Sequence, residues 1–567
     1  MRRLAVVVTA LAVVATAVPP ASSASSTIGT PERELRWGTP EQAGLVPGPV
    51  QQIEADVRSF LAPQANGKPM YAGAVVLAAH DGTVVTHEAV GHAVRYANGS
   101  GTELPADQQV PMRRDSIFDL ASVSKLFTSI AVLQQVERGR LDLDATVASY
   151  LPAFAARGKE TVTVRDLLTH TSGLPAWLPL YSRWPTPEER IAAVYDVAPL
   201  GPPGSRYVYS DLNMITLGKL VELASGQPLD HAVREDITAP LHMTDTGYNP
   251  APDKLDRVVA TEDQPWTGRG VIRGSVHDEN AWSLGGVAGH AGVFSTARDL
   301  AVLAQAILNQ GTYGGRRILS EDSVSALLTD ENGAFPGHAH GLGFEIDQRW
   351  YMDALSGPGT VGHTGYTGTS LVIDTRSRSF AVLLTNRVHP SRDWGSNNPS
   401  RRAVARDLAL ALPVRPQHGR DAWFSGVGDS RTATLTVPLS VAAEDGSVRL
   451  ENALWFDTEA VSDTVTLEVS RDAGASWSTL HTWSGAGGWR WHDVSVPLGT
   501  HAGAADPAGA GGELLVRWRY TSDALYQGRG VYVDDIRVTG LRGPVFDDDR
   551  AGDGELVRLD GWLRSRT

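Results

Sequence analysis

The sequence predicts two folded regions of different class: an α/β (α+β) region with an antiparallel sheet and a helical portion, then an all-β sandwich. Three observations carry this prediction. The chain is 567 residues long, more than one ordinary core accommodates. Between Trp37 and Leu412, strand-like stretches lie near both ends and helical periodicity lies between them, which favours a sheet built from both chain ends over regular βαβ alternation. After Pro413-Val-Arg-Pro416 the helical period gives way to alternating Val, Leu and Thr.

The elements follow in order. Arg2 and Arg3 precede an apolar run, Leu4–Val18, and then small residues up to Ala24, the pattern of a secretory signal peptide spanning residues 1–24. The run is shorter than the roughly 20 residues a membrane-spanning helix needs, so the expectation is an exported, extracellular protein with no membrane span after cleavage. Residues 25–36 are rich in Ser and Thr. Val50–Leu61 reads as a helix, and Ala72–Ala79 with Val84–His87 as a hairpin turning at Asp81-Gly82. Phe118–Arg138 reads as a helix closed by Gly139. Ser370–Asp374 and Ser379–Thr385 read as strands, and Ala405–Leu412 as a helix ending a first domain over 37–412. A linker over 413–419 leads to a sandwich over 420–541, with strands such as Thr464–Ser470 and Leu514–Tyr520. Residues 542–567, with Asp547-Asp548-Asp549 and Asp553, read as an acidic tail of poor order.

A net charge of −14 argues against nucleic acid as a partner, because phosphate binding needs a basic face. The chain has no cysteine, which excludes disulfides, thiolate metal sites and a cysteine nucleophile.

The chemistry starts from Lys125. It sits among Val123, Leu126, Phe127, Ile130 and Leu133, where an ammonium must find partners or lose its charge. Positions i and i+3 share a helix face, so Ser122 can meet Lys125, whereas Ser124 points away. Ser122 also lies near a helix start, which favours developing negative charge. A desolvated lysine has a lowered pKa and can act as base, activating a serine without histidine. Alone, Ser-x-x-Lys is a weak motif, and an N-capping serine beside an outward lysine explains it as well.

Two further elements follow: Tyr207-Val-Tyr-Ser-Asp-Leu-Asn213, and Val361-Gly-His-Thr-Gly-Tyr366 just before the strand at Ser370. With Ser122-Val-Ser-Lys125, and with Val162–Leu174 and Gly285–Leu300, they resemble the class C β-lactamases, the serine D-alanyl-D-alanine carboxypeptidases and related esterases. The resemblance covers roughly residues 37–412 and implies a β-lactamase/transpeptidase-like fold. It implies that Ser122 carries an acyl group, that Lys125 and Tyr209 shuttle its proton, and that the N–H groups of Ser122 and Tyr366 form an oxyanion hole. Asp211, His363, Thr364 and Gly365 are the implied substrate-binding residues.

Two departures stand out. The family's usual Tyr-x-Asn is Tyr209-Ser-Asp211 here; an ionised carboxylate only accepts hydrogen bonds, repels an anionic substrate and can stabilise a protonated Lys125. The lactamases' Lys-Thr-Gly is His363-Thr-Gly, and histidine recognises a carboxylate only while protonated. Both favour a peptidase or esterase over an efficient β-lactamase. His170 reads as a turn residue, and His290, between Gly289 and Ala291, as backbone packing. Val276-His-Asp-Glu-Asn-Ala281 has the residue types of a metal site but no second cluster with ligand spacing, so it reads as a hydrogen-bonded loop flanking the cleft, with no metal expected in this domain; Trp177, Tyr181 and Trp184 read as a cleft cover or as packing under a loop.

The second region resembles the C-terminal β-sandwich module of secreted immune inhibitor A-type metalloproteases through Leu454–Glu459, Val469–Trp477 and Gly530–Ile536. The resemblance makes Asp457, Glu459 and Asp534 candidate ligands of a structural calcium ion, set against plain exposed acidity. Trp455, Trp483, Trp489 and Trp491 are set between a carbohydrate platform and core filling. No cofactor is required for the chemistry. The expected activity is that of a secreted serine hydrolase on a small or peptidoglycan-derived substrate, D-alanyl-D-alanine carboxypeptidase-like or esterase-like, with cell-wall polymer a candidate partner of the sandwich. The alternatives are a catalytically idle muropeptide- or penicillin-binding protein and an adhesin driven by the sandwich.

Overall fold

The computed structural model describes residues 33–441, 446–498 and 513–567; the expected signal peptide lies outside them. Among the described residues, no helix is long and apolar enough to cross a membrane.

The first region is built on one mixed sheet. Its strands run in the order Arg36–Trp37, Thr83–Val94, Gly73–His80, Ser379–Thr385, Ser370–Asp374, Thr360–Thr364, Glu345–Ile346, with Val110–Pro111 added beside Thr83–Val94. Chain-end strands thus meet at the centre, where Gly73–His80 pairs antiparallel with Ser379–Thr385, as the sequence predicts. The first hairpin turns where expected, with Asp81 and Gly82 both at positive φ (46° and 78°), the conformation of a two-residue turn matched to strand twist.

Side-chain alternation divides the sheet's two faces. Ala74, Val76, Ala78 and Leu383 point to one side, against Ile53 and Val57 of the helix Pro47–Ser59 and Leu408 of the helix Asn398–Ala411. Val75, Leu77, Phe380 and Val382 point to the other, against Leu126 and Ile130 of the helix Ser124–Glu137 and Leu303 of the helix Ala297–Leu308. Each of the buried Val, Leu, Ile and Phe side chains stabilises the fold by roughly 1.5–3 kcal/mol. The helical portion is therefore held on one face, and the end of the strand Thr360–Thr364 meets the start of the helix Ser124–Glu137.

The second region is two stacked sheets. One orders Ala486–Pro497, Ser447–Asp457, Gly530–Gly540, Ala422–Phe424 and Leu563–Ser565; the other Ser478–Trp483, Thr464–Ser470, Glu513–Thr521, Thr432–Ser440 and Arg558–Asp560. Leu435, Leu450, Leu467, Trp518 and Val533 fill the space between them. Residues 542–567 are not the poorly ordered tail that their acidity predicts. Gly543–Asp547, Arg558–Asp560 and Leu563–Ser565 hydrogen-bond into both sheets, and Phe546 and Trp562 are buried. The acidic residues mislead because they occupy the turns between these short strands. Gln527 N donates to Asp353 Oδ1 at 2.8 Å and Arg529 Nη2 to the Leu412 carbonyl at 2.5 Å, joining the sandwich to the first region.

Candidate active site

The helix predicted from Phe118 begins later. Phe118–Asp119 is a short strand, Ala121–Val123 a 3-10 turn, and the α-helix runs Ser124–Glu137. The delay has a local cause: Ala121 is left-handed (φ 47°), which costs of order 1–3 kcal/mol in a non-glycine residue unless the surroundings enforce it. Asp119 does so, its buried carboxylate accepting the N–H of Ala121 at 2.9 Å and of His277 at 2.6 Å. The kink leaves Ser122 on the wall of two cavities.

Lys125, only 1% exposed, sits one turn on. Its Nζ donates to Ser122 Oγ at 2.8 Å and to the His290 carbonyl at 3.1 Å, and lies 2.8 Å from Asp211 Oδ1 as an ion pair. Burial works to lower its pKa, but the Asp211 carboxylate, together with the hydrogen bonds to Asp211 and Tyr209, outweighs it, so the net shift is upward. Of the two states the sequence leaves open, a neutral base and an ammonium held by Asp211, the geometry favours the second: Asp211, at the place of the usual asparagine, keeps Lys125 an ammonium. Ser124 turns away as expected, its Oγ accepting the N–H of Val293 at 3.0 Å.

Tyr209 and Asp211 flank Ser210, the N-cap of the helix Asp211–Ser225. His170 holds this corner: its Nδ1 accepts the N–H of Ser210 at 3.1 Å and its ring lies 4.7 Å from that of Tyr209. It is the turn histidine the sequence predicts. Lys125 Nζ is 4.9 Å from the Tyr209 ring centre. Burial raises the phenol, Lys125 draws it back, and it settles at about 12, so it is a phenol at neutral pH.

The third element closes the pocket. Thr367 Oγ1 donates to the Asp119 carbonyl at 2.7 Å and Thr369 Oγ1 to the Leu120 carbonyl at 2.9 Å, clamping the loop after the strand Thr360–Thr364 onto the serine turn. Gly365 lies in that seam, where an added Cβ would fall 2.2 Å from the Leu120 carbonyl oxygen. Among the described residues, neither the Ser122 nor the Tyr366 N–H is used in a hydrogen bond. Two such donors can serve an oxyanion at about 3 kcal/mol each.

His363 is 2% exposed, and its Nδ1–H donates to the Thr364 carbonyl at 2.7 Å. Burial first and Lys125 second push its pKa down to about 3. It is therefore neutral at physiological pH and not a cation for a carboxylate. The cations of this wall are two arginines that motif reading misses. Arg401 bonds the carbonyls of Gly365 (2.7 Å) and Thr369 (3.0 Å) and Asn398 Oδ1 (2.9 Å), with its buried Nε unpartnered. Arg387 bonds the Tyr366 carbonyl at 3.1 Å. The signal for Arg401 is present in the sequence: it is a charge on the buried face of an amphipathic helix, the logic that singles out Lys125.

Ser122 and Tyr209 stand between a cavity of about 570 Å³, walled by His363, Thr364, Arg387 and Arg401, and one of about 430 Å³, walled by Asp211, Trp177, Tyr181 and His290. Trp177 and Tyr181 reach the cleft, while Trp184 packs elsewhere, beside Leu178 and Ala193. His290 is more than packing: its carbonyl holds Lys125 and its Nε2 meets Asp278 Oδ1 at 2.9 Å. His277 pairs with Glu262 at 2.8 Å and Glu279 with Arg392 at 2.7 Å, a bonded network of the kind expected for this loop.

In the sandwich the three candidate calcium ligands are not brought together. Along one ladder Asp534 faces Ala453 while Asp457 faces Gly530, and Asp534 accepts the N–H of Gln417 at 2.6 Å and of His418 at 3.0 Å. Glu459 turns instead towards Asp463 and Asp523, whose ligand atoms lie within 4.8 Å of its own. Nor do the four tryptophans form one platform. Trp455 packs edge-on to Tyr532 at 5.5 Å, Trp489 donates to the Arg415 carbonyl at 2.9 Å and Trp483 meets His492 at 5.0 Å.

Fold and pocket define the class, a serine hydrolase. The chain belongs to the Beta-lactamase family, whose family model matches residues 57–406. It is 34% identical over 405 residues to an Escherichia coli O157:H7 protein named "Putative D-alanyl-D-alanine carboxypeptidase", covering 65% of this chain and 88% of that one. It is also 34% identical over 386 residues to a Bacillus subtilis strain 168 protein named "N-acetylmuramyl-L-alanine amidase", covering 62% and 82%. Among solved structures, a penicillin-binding protein homologue from Caulobacter crescentus shares the fold, with a TM-score of 0.51, 22% identity, and coverage of 65% of this chain and 99% of that one.

Proposed function

We propose that this hydrolase is an exported D-alanyl peptidase that works through an acyl-enzyme on Ser122. The observation that carries the reading is Lys125: a buried ammonium 2.8 Å from both Ser122 Oγ and Asp211 Oδ1, beneath the Tyr209 ring. The substrate's C-terminal carboxylate lies towards Arg401, Arg387 and Thr364, so the larger cavity takes the leaving residue and the smaller one the acyl part. The scissile carbonyl oxygen points to the N–H groups of Ser122 and Tyr366.

Because Lys125 rests charged and Tyr209 protonated, no free base is present, and the phenol acts as a relay. As Ser122 Oγ bonds to the carbonyl carbon, its proton passes to Tyr209 Oη while the phenol's own proton goes to the leaving nitrogen. The C–N bond breaks and the terminal amino acid departs. Water then adds to the acyl ester through the same relay, which returns the proton to Ser122. Lys125 stays an ammonium throughout and lowers the cost of phenolate character at Tyr209. The sandwich, on this reading, attaches the enzyme to a wall polymer.

A fluorescent penicillin is expected to label Ser122, and a D-Ala-D-Ala peptide to release D-alanine in a Ser122-dependent manner. Label that persists in Ser122→Ala, or no label on the wild type, would refute the reading. Label without any product would instead favour the idle binder.

His363 supplies a second test. Since burial depresses its pKa to about 3, it is uncharged at higher pH, and KM for a carboxylate-bearing peptide carries no histidine inflection between about pH 5 and 8. A KM that rises near the usual histidine pKa in the wild type, but not in His363→Asn, would show that His363 binds as a cation.

A further inference from the structure

Glu262 is a buried carboxylate, 1% exposed, that belongs to none of the motifs of the site and lines neither cavity. Its two oxygens nevertheless gather donors from three residues. The Arg392 backbone N–H reaches Oε1 at 2.8 Å, and Arg392 Nε reaches Oε1 at 2.8 Å and Oε2 at 2.7 Å. His277 Nε2 meets Oε2 at 2.8 Å, and Gln264 Nε2 donates to the same oxygen at 3.3 Å. Burial opposes the charge, but the bonds from His277 and Arg392 prevail and hold the pKa at about 2, so Glu262 is ionised at neutral pH.

Two of these partners lead to the two donors of the oxyanion hole. While its ring is fixed by Glu262, the backbone N–H of His277 donates to Asp119 Oδ2 at 2.6 Å. Asp119 Oδ1 takes the N–H of Ala121 and so enforces the left-handed turn that precedes the Ser122 N–H. On the other path, the Arg392 guanidinium lies 5.6 Å from the Tyr366 ring centre, and the His277 ring stacks on the same phenol at 5.8 Å and 29°. Arg387 also covers that ring, at 4.6 Å, and binds the Tyr366 carbonyl. The half-exposed Tyr366 is therefore held by three neighbours, two of them anchored on Glu262. Oxyanion donors act only within hydrogen-bond reach, and a displacement of about 1 Å costs up to about a hundredfold in rate.

We propose that Glu262 is a positioning residue for acyl transfer: through His277 and Arg392, this one carboxylate sets the spacing between the Ser122 and Tyr366 N–H groups. The inference rests on the reading of an acyl-enzyme on Ser122 with those two groups as its oxyanion hole.

The test separates binding from chemistry. The rate of penicillin labelling, followed against penicillin concentration, yields the dissociation constant of the initial complex and the acylation rate constant within it. Glu262→Gln keeps the size and one acceptor but loses the charge. Its acylation constant is expected to fall by about tenfold or more, towards the hundredfold of a lost oxyanion donor, with the dissociation constant unchanged. Affinity for a boronic acid, which bonds to Ser122 Oγ as a tetrahedral adduct with an oxygen in the hole, falls by the same factor. Arg392→Lys, at a side chain 29% exposed, keeps a cation beside Glu262 and loses the flat face over Tyr366. It tests that path alone, whether or not Glu262→Gln folds, and is expected to show a smaller fall of the same pattern. An acylation constant close to wild type in either folded variant overturns the inference. So does a weakened dissociation constant that accounts for the whole loss, or slowed acylation with boronic acid affinity intact; all three leave the acyl-enzyme reading standing. Wild-type protein that takes neither penicillin nor boronic acid overturns that reading and this inference with it.

Discussion

Lys125→Met is expected to lower the rate of Ser122 acylation by about a hundredfold to a thousandfold, the range of one preorganised charge or donor that stabilises the transition state. The methionine fits the buried stem but removes the hydrogen bond to Ser122 Oγ at 2.8 Å and the cation beside Asp211. Stability is lost as well, because breaking a buried pair leaves a charge uncompensated. The full cost of about 3–5 kcal/mol is reduced here, since the Asp211 side chain is 21% exposed. As the folded pKa of Lys125 lies above its ordinary value, its contribution is fully present below the unfolded-state lysine pKa and is lost only as pH rises through the folded one. The double variant Lys125→Met/Asp211→Asn separates the two effects: Tm recovers and acylation does not. Recovery of both would reduce Lys125 to a structural residue.

Gly365→Ala is expected to lower kcat by about a hundredfold to a thousandfold, the worth of one oxyanion donor. The new methyl would lie 2.1 Å from Thr369 Oγ1 and 2.2 Å from the Leu120 carbonyl oxygen. Neither yields without moving the clamp between the serine turn and the loop bearing the Tyr366 N–H. A stability loss of about 1–3 kcal/mol accompanies it. The check is the rate of penicillin labelling beside a thermal melt; a rate close to wild type in a protein that melts lower would remove the Tyr366 N–H from the oxyanion hole.

Much of this molecule is legible from local pattern. The strands Ser370–Asp374 and Ser379–Thr385 and the turn at Asp81-Gly82 stand where alternation and turn chemistry place them. The helix around Lys125 is also legible, except for its start. Periodicity cannot see that start, because the left-handed Ala121 is enforced by Asp119, itself tied to the distant His277. The C-terminal strands are obscured because a polar turn and a disordered tail share a composition, and only sheet pairing distinguishes them.

The sequence by itself determined the set of Ser122, Lys125, Tyr209 and His363 through the family that Ser122-Val-Ser-Lys125, Tyr209-Ser-Asp211 and His363-Thr-Gly365 together resemble, and Lys125 also through its place on an otherwise apolar helix. Tertiary structure alone decided their protonation. Lys125 stays charged because Asp211 comes within 2.8 Å, and His363 stays neutral because it is enclosed beside that ammonium. Electrostatic energy depends on distance and on exclusion of water, and neither quantity is written in the order of residues along a chain.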